Sequence, residues 1–327
     1  MEQERYESQH KKMNGIRTVC LKDLQKQAEV ELVPDIGANV FRYRVGEQDI
    51  LLSPPDLHTL REESSGYGIP ILFPPSRIRG GVFSFDGKDY RFPLNAGEHH
   101  IHGELRGTPW KLMEIGADRD RGAYAVCELR VADWESLAAY YPHALRFRLT
   151  VSLIRGELHL DGVIINEGKD AAPFGFGFHP YFAYLPEEAD LVSIQVPAVS
   201  EYPVDAEGFF TGPLRATEVC QQLYRGVRLS NLPQDADHRV VKLEEGRRYF
   251  VVNRPRSGIR VTCDFSHEFG FAFVFVPPWG NAVSIEPVSS VTDAFHLPFP
   301  AGDTGVRSLE AGERFDYAVH FQVADML

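Results

Sequence analysis

The sequence predicts an all-β protein, a large antiparallel β-sandwich with a few short helices. Apolar and polar side chains alternate with a period of two in several segments, which is typical of strands with one buried face. Short turn signals separate these segments, and no glycine-rich loop opens a long amphipathic helix. Many short strands bury their apolar faces only by stacking in two layers or closing on themselves. We therefore expect residues 1–327 to form a single domain.

Two hairpins are the clearest predicted elements. Residues 145–153 alternate strictly between apolar and polar side chains, and residues 158–165 continue as a second strand after a glycine-containing turn. Asp86-Gly87 separates the apolar segments 82–85 and 90–92, and this dipeptide is a strong signal for a tight hairpin turn. Alternation predicts further strands over residues 259–265 and 315–323, and a continuous apolar run over 271–276 predicts a strand covered on both faces.

The helical signals are short. Residues 133–140 could form two turns with Asp133 as the N-cap, because an aspartate side chain accepts hydrogen bonds from the first free backbone N–H groups. Residues 217–224 are a second candidate helix.

Composition excludes several classes of partner. The net charge of −12 argues against nucleic acid, which requires clustered cations, and against an anionic membrane surface. The four cysteines show no CxxC spacing, so neither a disulfide framework nor a zinc site is expected. Residues 1–13 contain no apolar segment of the kind found in secretory signals, and no run approaches a membrane span in length. We expect a cytoplasmic protein that binds a small neutral ligand.

Glu286 and His179 are the first candidates for chemistry. Glu286 follows an apolar strand and precedes a proline, and a carboxylate in such a run is costly to bury unless it is paired or used. A solvent-facing glutamate at the strand end is the alternative. His179 lies in an extended aromatic segment, where Gly175 and Gly177 would share its face and leave room beside the imidazole. A core histidine bonded to backbone is the alternative there.

A histidine cluster and an arginine pair form a second group of candidates. On a strand, His100 and His102 would project from the same face together with Glu98, a possible metal-ligand set. We favour instead that one or two of His99, His100 and His102 donate hydrogen bonds to ligand hydroxyls, with the others in the turn. Arg77 is a candidate guanidinium donor to a sugar, whereas Arg79 is expected to face solvent.

In combination, these pieces resemble the aldose 1-epimerase (galactose mutarotase) family over most of the chain. The similarity lies in four elements in the family's order: Ser76-Arg77-Ile78, Asn95 with Ile101-His102-Gly103, Asn166-Glu167-Gly168 with His179-Pro-Tyr-Phe182, and Ile285-Glu286-Pro287. The resemblance implies a galactose mutarotase-like supersandwich. It also implies an enzyme that interconverts the α and β anomers of a free hexose without cofactor or metal, as a monomer or homodimer.

Residue by residue, the resemblance implies Glu286 as general base and His179 as general acid. It implies Arg77 and His102 as donors that orient the sugar, and Asp237 as a further sugar-binding residue. The sequence departs from the family at Ser76, where many relatives have asparagine. The segment 202–212 resembles the variable substrate-side loops of less characterised family branches.

These residue types suit the reaction. Opening a cyclic hemiacetal removes a proton from the C1 hydroxyl and delivers one to the ring oxygen, so a carboxylate and an imidazolium flanking the anomeric centre meet both needs. We expect Glu286 to be ionised and His179 protonated near neutral pH, since opposite charges stabilise each other. A retaining glycosidase would require two carboxylates about 5 Å apart. The sequence offers one strong carboxylate and two histidines, which disfavours hydrolysis.

Three questions stay open at this point. A phosphorylated hexose would require an extra cationic patch, for which Arg79 and Arg106 are candidates. A non-catalytic carbohydrate-binding protein would not require a matched acid and base. Aromatic platforms for the sugar ring could come from Phe176, Tyr181 and Trp279, of which Phe176 is the one expected to be core packing.

Overall fold

In the computed structural model, which describes residues 5–233 and 238–326, antiparallel strands dominate. The largest sheet has nine strands, in the spatial order Lys111–Asp118, Gly122–Arg130, Leu145–Ile154, Glu157–Asn166, Arg314–Asp325, Ile259–Phe265, Tyr249–Arg254, Ser193–Gln195 and Val227–Arg228. The second sheet has seven strands, in the order Ala198–Tyr202, His238–Leu243, Phe271–Phe275, Ala282–Val288, Gly177–Phe178 and Ile71–Leu72, with Tyr181–Ala183 also paired to Ala282–Val288.

Smaller sheets complete the architecture. A five-stranded sheet runs in chain order through Tyr6–Met13, Ile16–Asp23, Ala28–Val33, Asn39–Val45 and Gln48–Asp49. Three two-stranded sheets pair Arg77–Ile78 with His100–Ile101, Val82–Phe85 with Lys88–Arg91, and Ala172–Phe174 with Arg307–Leu309.

The helices of the described residues are short. The α-helices span Leu57–Glu62, Glu135–Ala138, Glu218–Arg225 and Ala301–Thr304. The 3-10 helices span Arg79–Gly81, Val131–Asp133, Pro186–Glu188, Leu229–Asn231 and Ala294–His296.

One hydrophobic cluster joins the three large sheets. It contains Val30 of the five-stranded sheet, Leu149 of the nine-stranded sheet and Ile285 of the seven-stranded sheet. The nine- and seven-stranded sheets pack face to face through aromatic rings, with the centroids of Phe178 and Tyr317 5.6 Å apart. Apolar faces are therefore buried between layers, as the period-two pattern predicts. That residues 1–327 form a single domain stays a prediction.

The predicted strands are confirmed. Of the two predicted helices, the one over residues 217–224 is confirmed, whereas the N-cap predicted for the other is wrong. Both hairpins form with the expected antiparallel pairing. The helix Glu218–Arg225 begins at Thr217, whose hydroxyl accepts a hydrogen bond from the Cys220 N–H. The prediction that Asp133 caps a helix is wrong: Asp133 closes a 3-10 turn, and Trp134 stands at the N-cap of the helix that follows. Because Asp133 is the last residue of this 3-10 turn, it is not the non-helical residue that directly precedes the α-helix.

All four cysteines are buried free thiols. Cys263 alternates within a strand as a small apolar side chain, as its sequence pattern predicts. Within residues 5–233 and 238–326, no helix is long and apolar enough to cross a membrane.

Candidate active site

A cleft of about 1080 Å³ opens beside the seven-stranded sheet and contains most of the residues singled out from the sequence. Glu286, His179, Arg77 and His102 all line it. Further lining comes from three places: Glu63, Ser65 and Gly66; Val204, Asp205 and Ala206; and Pro278 and Trp279. The structure therefore brings together four of the five site residues predicted from the sequence. The fifth, Asp237, lies outside the described residues.

Strand register places Glu286 opposite His179. The pairings Gly177–Val288 and Tyr181–Ser284 bracket these two residues on neighbouring antiparallel segments. Within the strand Ala282–Val288, Ile285 enters the main core, so alternation sends Glu286 to the other face, toward the cleft. Oε1 of Glu286 lies 3.2 Å from Nε2 of His179, and each residue is only 4% exposed.

Burial moves the pKa values of this pair toward neutral forms. It raises the pKa of Glu286 well above its ordinary value, although the positive charge of Arg77 opposes the shift. It lowers the pKa of His179 to about 3. The predicted ionised Glu286 and protonated His179 are therefore not the favoured state of the ligand-free cleft. The free-energy cost of taking the two charges out of water exceeds the gain from their mutual attraction.

The hydrogen bonds of His179 define which ring nitrogen holds its proton. Ser284 Oγ donates its single proton to the carbonyl of Pro180 at 2.8 Å, so it accepts from Nδ1 of His179 at 2.8 Å. In the neutral ring Nε2 then carries no proton, and it lies 3.2 Å from both Oε1 of Glu286 and the hydroxyl of Tyr181. Besides the proton on Nδ1, the pair thus shares one proton, which either Oε1 of Glu286 or Nε2 of His179 can accept. Ser284 was not among the residues singled out from the sequence.

His102 is fixed in the opposite tautomer. Its Nδ1 accepts a hydrogen bond from the Ser76 N–H at 3.3 Å, and burial lowers its pKa well below the ordinary value. A neutral ring with Nδ1 as acceptor carries its proton on Nε2. His102 can therefore act as a hydrogen-bond donor toward a ligand, which agrees with the sequence interpretation.

The residues on both sides of Arg77, and its own carbonyl, are tied to a neighbouring loop. Ser76 Oγ lies 2.6 Å from Thr292 Oγ1, and the Asp293 N–H donates to the Arg77 carbonyl at 2.8 Å. Asp293 Oδ1 also accepts from the Arg79 N–H at 2.9 Å. Asp293 has a φ of +54°, a conformation that aspartate tolerates better than most residues. Asp293 and Thr292 were not singled out from the sequence; they fix the position of Arg77 through its carbonyl and through the neighbouring Ser76.

Segment 202–212 covers the Arg77 side of the cleft. Gly208 has a φ of +81°, and a Cβ atom there would lie 2.5 Å from Cε1 of His238 and 3.0 Å from Nη1 of Arg77. Both the backbone conformation and the close approach favour glycine at this position. The loop therefore reaches the cleft only because residue 208 has no side chain.

The metal interpretation of the histidine cluster depends on a shared strand face, and that prediction is wrong. The strand ends at Ile101, and His102 has a φ of +64°, which breaks the alternation. His100 is buried and uses both ring nitrogens within the protein: Nδ1 donates to the Pro93 carbonyl, and Nε2 accepts from the Gly103 N–H. Glu98 is exposed, and His99 Nδ1 accepts from the Gly80 N–H.

The roles expected of the two glycines before His179 are also wrong. A Cβ atom at Gly175 would lie 2.3 Å from Ser290 Oγ, and one at Gly177 would lie 2.6 Å from Val288 Cγ1. Their missing side chains admit the neighbouring segment rather than leaving room beside the imidazole.

Some of the aromatic and cationic candidates line the cleft and others do not. Phe176 is core packing, as expected, while Tyr181 and Trp279 line the cleft. Arg79 and Arg106 lie outside the lining formed by the described residues. Arg106 donates to Ser64 Oγ, and the exposed Arg79 guanidinium lies over the ring of Phe209.

Comparison with known proteins finds two uncharacterized relatives from one bacterium. The chain is 30% identical over 141 residues to the uncharacterized protein YihR of Escherichia coli (strain K12), an alignment that covers 41% of this chain but only 42% of YihR. It is 24% identical over 246 residues to the uncharacterized protein YphB of the same strain, covering 70% of this chain and 75% of YphB.

Solved structures confirm the predicted galactose mutarotase-like fold. A galactose mutarotase-like protein from Clostridium acetobutylicum matches with a TM-score of 0.88 at 19% identity, with 98% of each chain covered. Galactose 1-epimerase from Lactobacillus acidophilus NCFM matches with a TM-score of 0.79 at 16% identity, covering 99% of this chain and 100% of that one. The family described as aldose 1-epimerase matches residues 22–322. This chain therefore belongs to the aldose 1-epimerase family.

Proposed function

We propose that the protein interconverts the α and β anomers of a free hexose by acid–base ring opening and reclosure. The observation that supports this most directly is the 3.2 Å contact between Oε1 of Glu286 and Nε2 of His179 in a cleft. The two oxygens that exchange protons in the reaction are bonded to the same carbon, C1. An acid and a base in mutual contact can therefore reach both oxygens at once.

The proton balance of the reaction closes within this pair. In the ligand-free cleft the shared proton resides on Glu286; on sugar binding it passes to His179, and the positive charge of Arg77 favours the carboxylate that remains. Glu286 then removes the proton from the C1 hydroxyl while His179 donates to the ring oxygen, and the bond from C1 to the ring oxygen breaks. Rotation of the aldehyde and the reverse transfers close the ring on its other face.

Hydrogen-bond donors on one side of the cleft suit a neutral polyol. The Nε2–H of His102 and the guanidinium of Arg77 supply donors without requiring an ionised ligand. Tyr181 stacks on His179 with ring centroids 4.4 Å apart, and its hydroxyl donates to the Ser65 carbonyl at 2.7 Å. These contacts hold the catalytic ring in place while the sugar is bound.

The positions of the two arginines considered for a phosphorylated hexose, Arg79 and Arg106, favour a free sugar as the substrate. Arg79 and Arg106 lie outside the lining formed by the described residues. Arg239 does line the cleft, but its Nη1 is paired with Glu201 at 3.0 Å. A non-catalytic sugar-binding protein would have no need for a buried acid in contact with a buried base, because that arrangement costs stability. Cytoplasmic location, independence from cofactors, and a monomeric or dimeric state stay predictions.

Polarimetry with freshly dissolved α-glucose, α-galactose and α-glucose 6-phosphate tests the proposal. We expect the protein to accelerate mutarotation of at least one free hexose more strongly than that of the phosphate ester. Faster turnover of the ester would assign the alternative substrate class. No acceleration of any reducing sugar, with sugar binding still measurable, would assign a binding protein.

A further inference from the structure

Two histidines and an aspartate form a cluster on the nine-stranded sheet. His159 and Asp161 belong to the strand Glu157–Asn166, and His320 belongs to the adjacent strand Arg314–Asp325. The register pairs His159 directly with His320. The flanking residues Leu158, Leu160, Val319 and Phe321 are buried in the main core, so alternation places the cluster on the opposite face of the sheet.

The donor atoms of the cluster converge. The imidazole rings of His159 and His320 stack with centroids 3.9 Å apart and an interplanar angle of 12°. Nε2 of His320 lies 2.8 Å from Oδ1 of Asp161. One nitrogen from each ring and one carboxylate oxygen all lie within 4.8 Å of one another. The side chains are 22%, 39% and 45% exposed for His159, His320 and Asp161, so an ion can enter from solvent.

We propose that His159, Asp161 and His320 bind a divalent transition-metal ion of the zinc type. Two imidazole nitrogens and one carboxylate oxygen form a donor set that suits Zn²⁺, whereas Mg²⁺ and Ca²⁺ prefer oxygen donors alone. Two nitrogens bound to one tetrahedral zinc ion lie roughly 3.4 Å apart, given Zn–N distances of about 2.0–2.1 Å. Rotation of half-exposed side chains about their χ angles can bring the atoms to that spacing.

Glu157 supports the site from the same strand. Its Oε2 lies 3.3 Å from Nε2 of His159, and its Oε1 accepts a hydrogen bond from Gln322 at 2.7 Å. The carboxylate is therefore held beside the cluster, where it can act as a fourth ligand or orient the His159 ring. Three ligands come from strands fixed in register, so the backbone needs no rearrangement to present them.

The described residues contain one other convergent group, and it is less suited to a metal ion. Cys20, Glu29 and Glu31 have donor atoms within the same spacing. Both carboxylate oxygens of Glu31 are already paired, one with Lys11 at 2.9 Å and the other with Arg42 at 2.7 Å. A cation would have to displace a lysine and an arginine there, whereas the pairs in the His159 cluster, His320 with Asp161 and His159 with Glu157, contain neither.

Titration calorimetry with ZnCl₂ on untagged, chelator-treated protein tests the proposal. We expect saturable binding of one ion per chain and a Tm that rises with the Zn²⁺ concentration. His320→Gln and His159→Gln should each weaken binding by roughly tenfold or more. His267→Gln is the matched control, because His267 is a surface histidine 90% exposed and paired with Glu268, distant from the cluster in sequence and beyond the end of the strand Ile259–Phe265.

Three results would overturn the proposal. The first is an absence of saturable Zn²⁺ binding to the unmodified protein. The second is binding that survives His320→Gln, or that falls equally in His267→Gln. The third is binding that is lost with His102→Asn and kept with His320→Gln, because that result would place the ion in the cleft. Each variant is checked by circular dichroism, so that loss of binding is separated from loss of fold.

Discussion

The hydroxyl of Ser284 lies 2.8 Å from Nδ1 of His179 and accepts its proton in a hydrogen bond. The same hydroxyl donates to the Pro180 carbonyl, which leaves it no second proton to offer. Ser284 and Glu286 lie two residues apart on one strand, so the same face presents both the group that orients the imidazole and the carboxylate that exchanges a proton with it.

Ser284→Ala should lower kcat while leaving sugar binding nearly unchanged. Loss of the hydrogen bond frees the ring to adopt the other tautomer or rotate, at a cost of about 1–2 kcal/mol, or roughly tenfold in kcat. Polarimetric kcat and KM values measure the effect. Ser289→Ala is the control, because Ser289 is also a buried serine but accepts from the Phe176 N–H. Equal loss in both variants would show a general packing effect.

Gly208→Ala should raise KM more than it lowers kcat. An alanine Cβ would collide with His238 and press on Arg77, which moves the segment that covers the sugar-binding side of the cleft. Gly246→Ala is the matched control, because Gly246 has a φ of +78° against +81° for Gly208 but nothing within 4 Å of its Cβ position. The two variants share the backbone strain, so a rise in KM for Gly208→Ala alone isolates the steric effect.

Asp293→Ala should weaken sugar binding several-fold without removing the acid–base pair. Asp293 holds the Arg77 carbonyl through its N–H and the Arg79 N–H through its carboxylate, and alanine tolerates its positive φ poorly. Asp293→Asn keeps an acceptor oxygen and the backbone preference, so it should restore most of the binding. The measurement is the KM-against-kcat comparison by polarimetry. A fall in kcat alone would contradict a positioning role.

The pH dependence of kcat/KM should lack an inflection near 6.5, the ordinary pKa of histidine. Burial lowers the pKa of His179 to about 3, so the pair gains a second proton and loses its base only as the pH falls toward that value. Burial raises the pKa of Glu286, so the last proton leaves, and the acid is lost, as the pH rises through that elevated value. The pair titrates as a unit, with activity on the plateau between. An acid limb centred near pH 6.5 would contradict this.

The sequence was informative where a local pattern determines structure. Alternation defined the hairpin strands, and the carboxylate at the end of an apolar run singled out Glu286, which the structure shows to be buried. His179 was placed in an extended aromatic segment, and in the structure it is buried with its Nε2 3.2 Å from Oε1 of Glu286. Register then brings the two together, a relationship of sequence positions more than a hundred residues apart.

The failures have physical causes that a local pattern does not contain. The positive φ of His102 ends the strand one residue early, so alternation misplaced its side chain relative to His100. Ser284 looks like any polar residue in a strand, and its role depends on the Pro180 carbonyl across the sheet. The preference of buried Glu286 and His179 for neutral forms follows from the depth of the cleft, which the sequence does not give.

The most direct test of the catalytic assignment is the rate of hexose mutarotation by the unmodified protein, Glu286→Gln and His179→Asn. It is measured by polarimetry with sugar binding followed by calorimetry. We expect both substitutions to abolish the acceleration while binding stays measurable, because each removes one partner of the contact at 3.2 Å and leaves Arg77 and His102 in place. Wild-type turnover in both variants would contradict the assignment of acid and base.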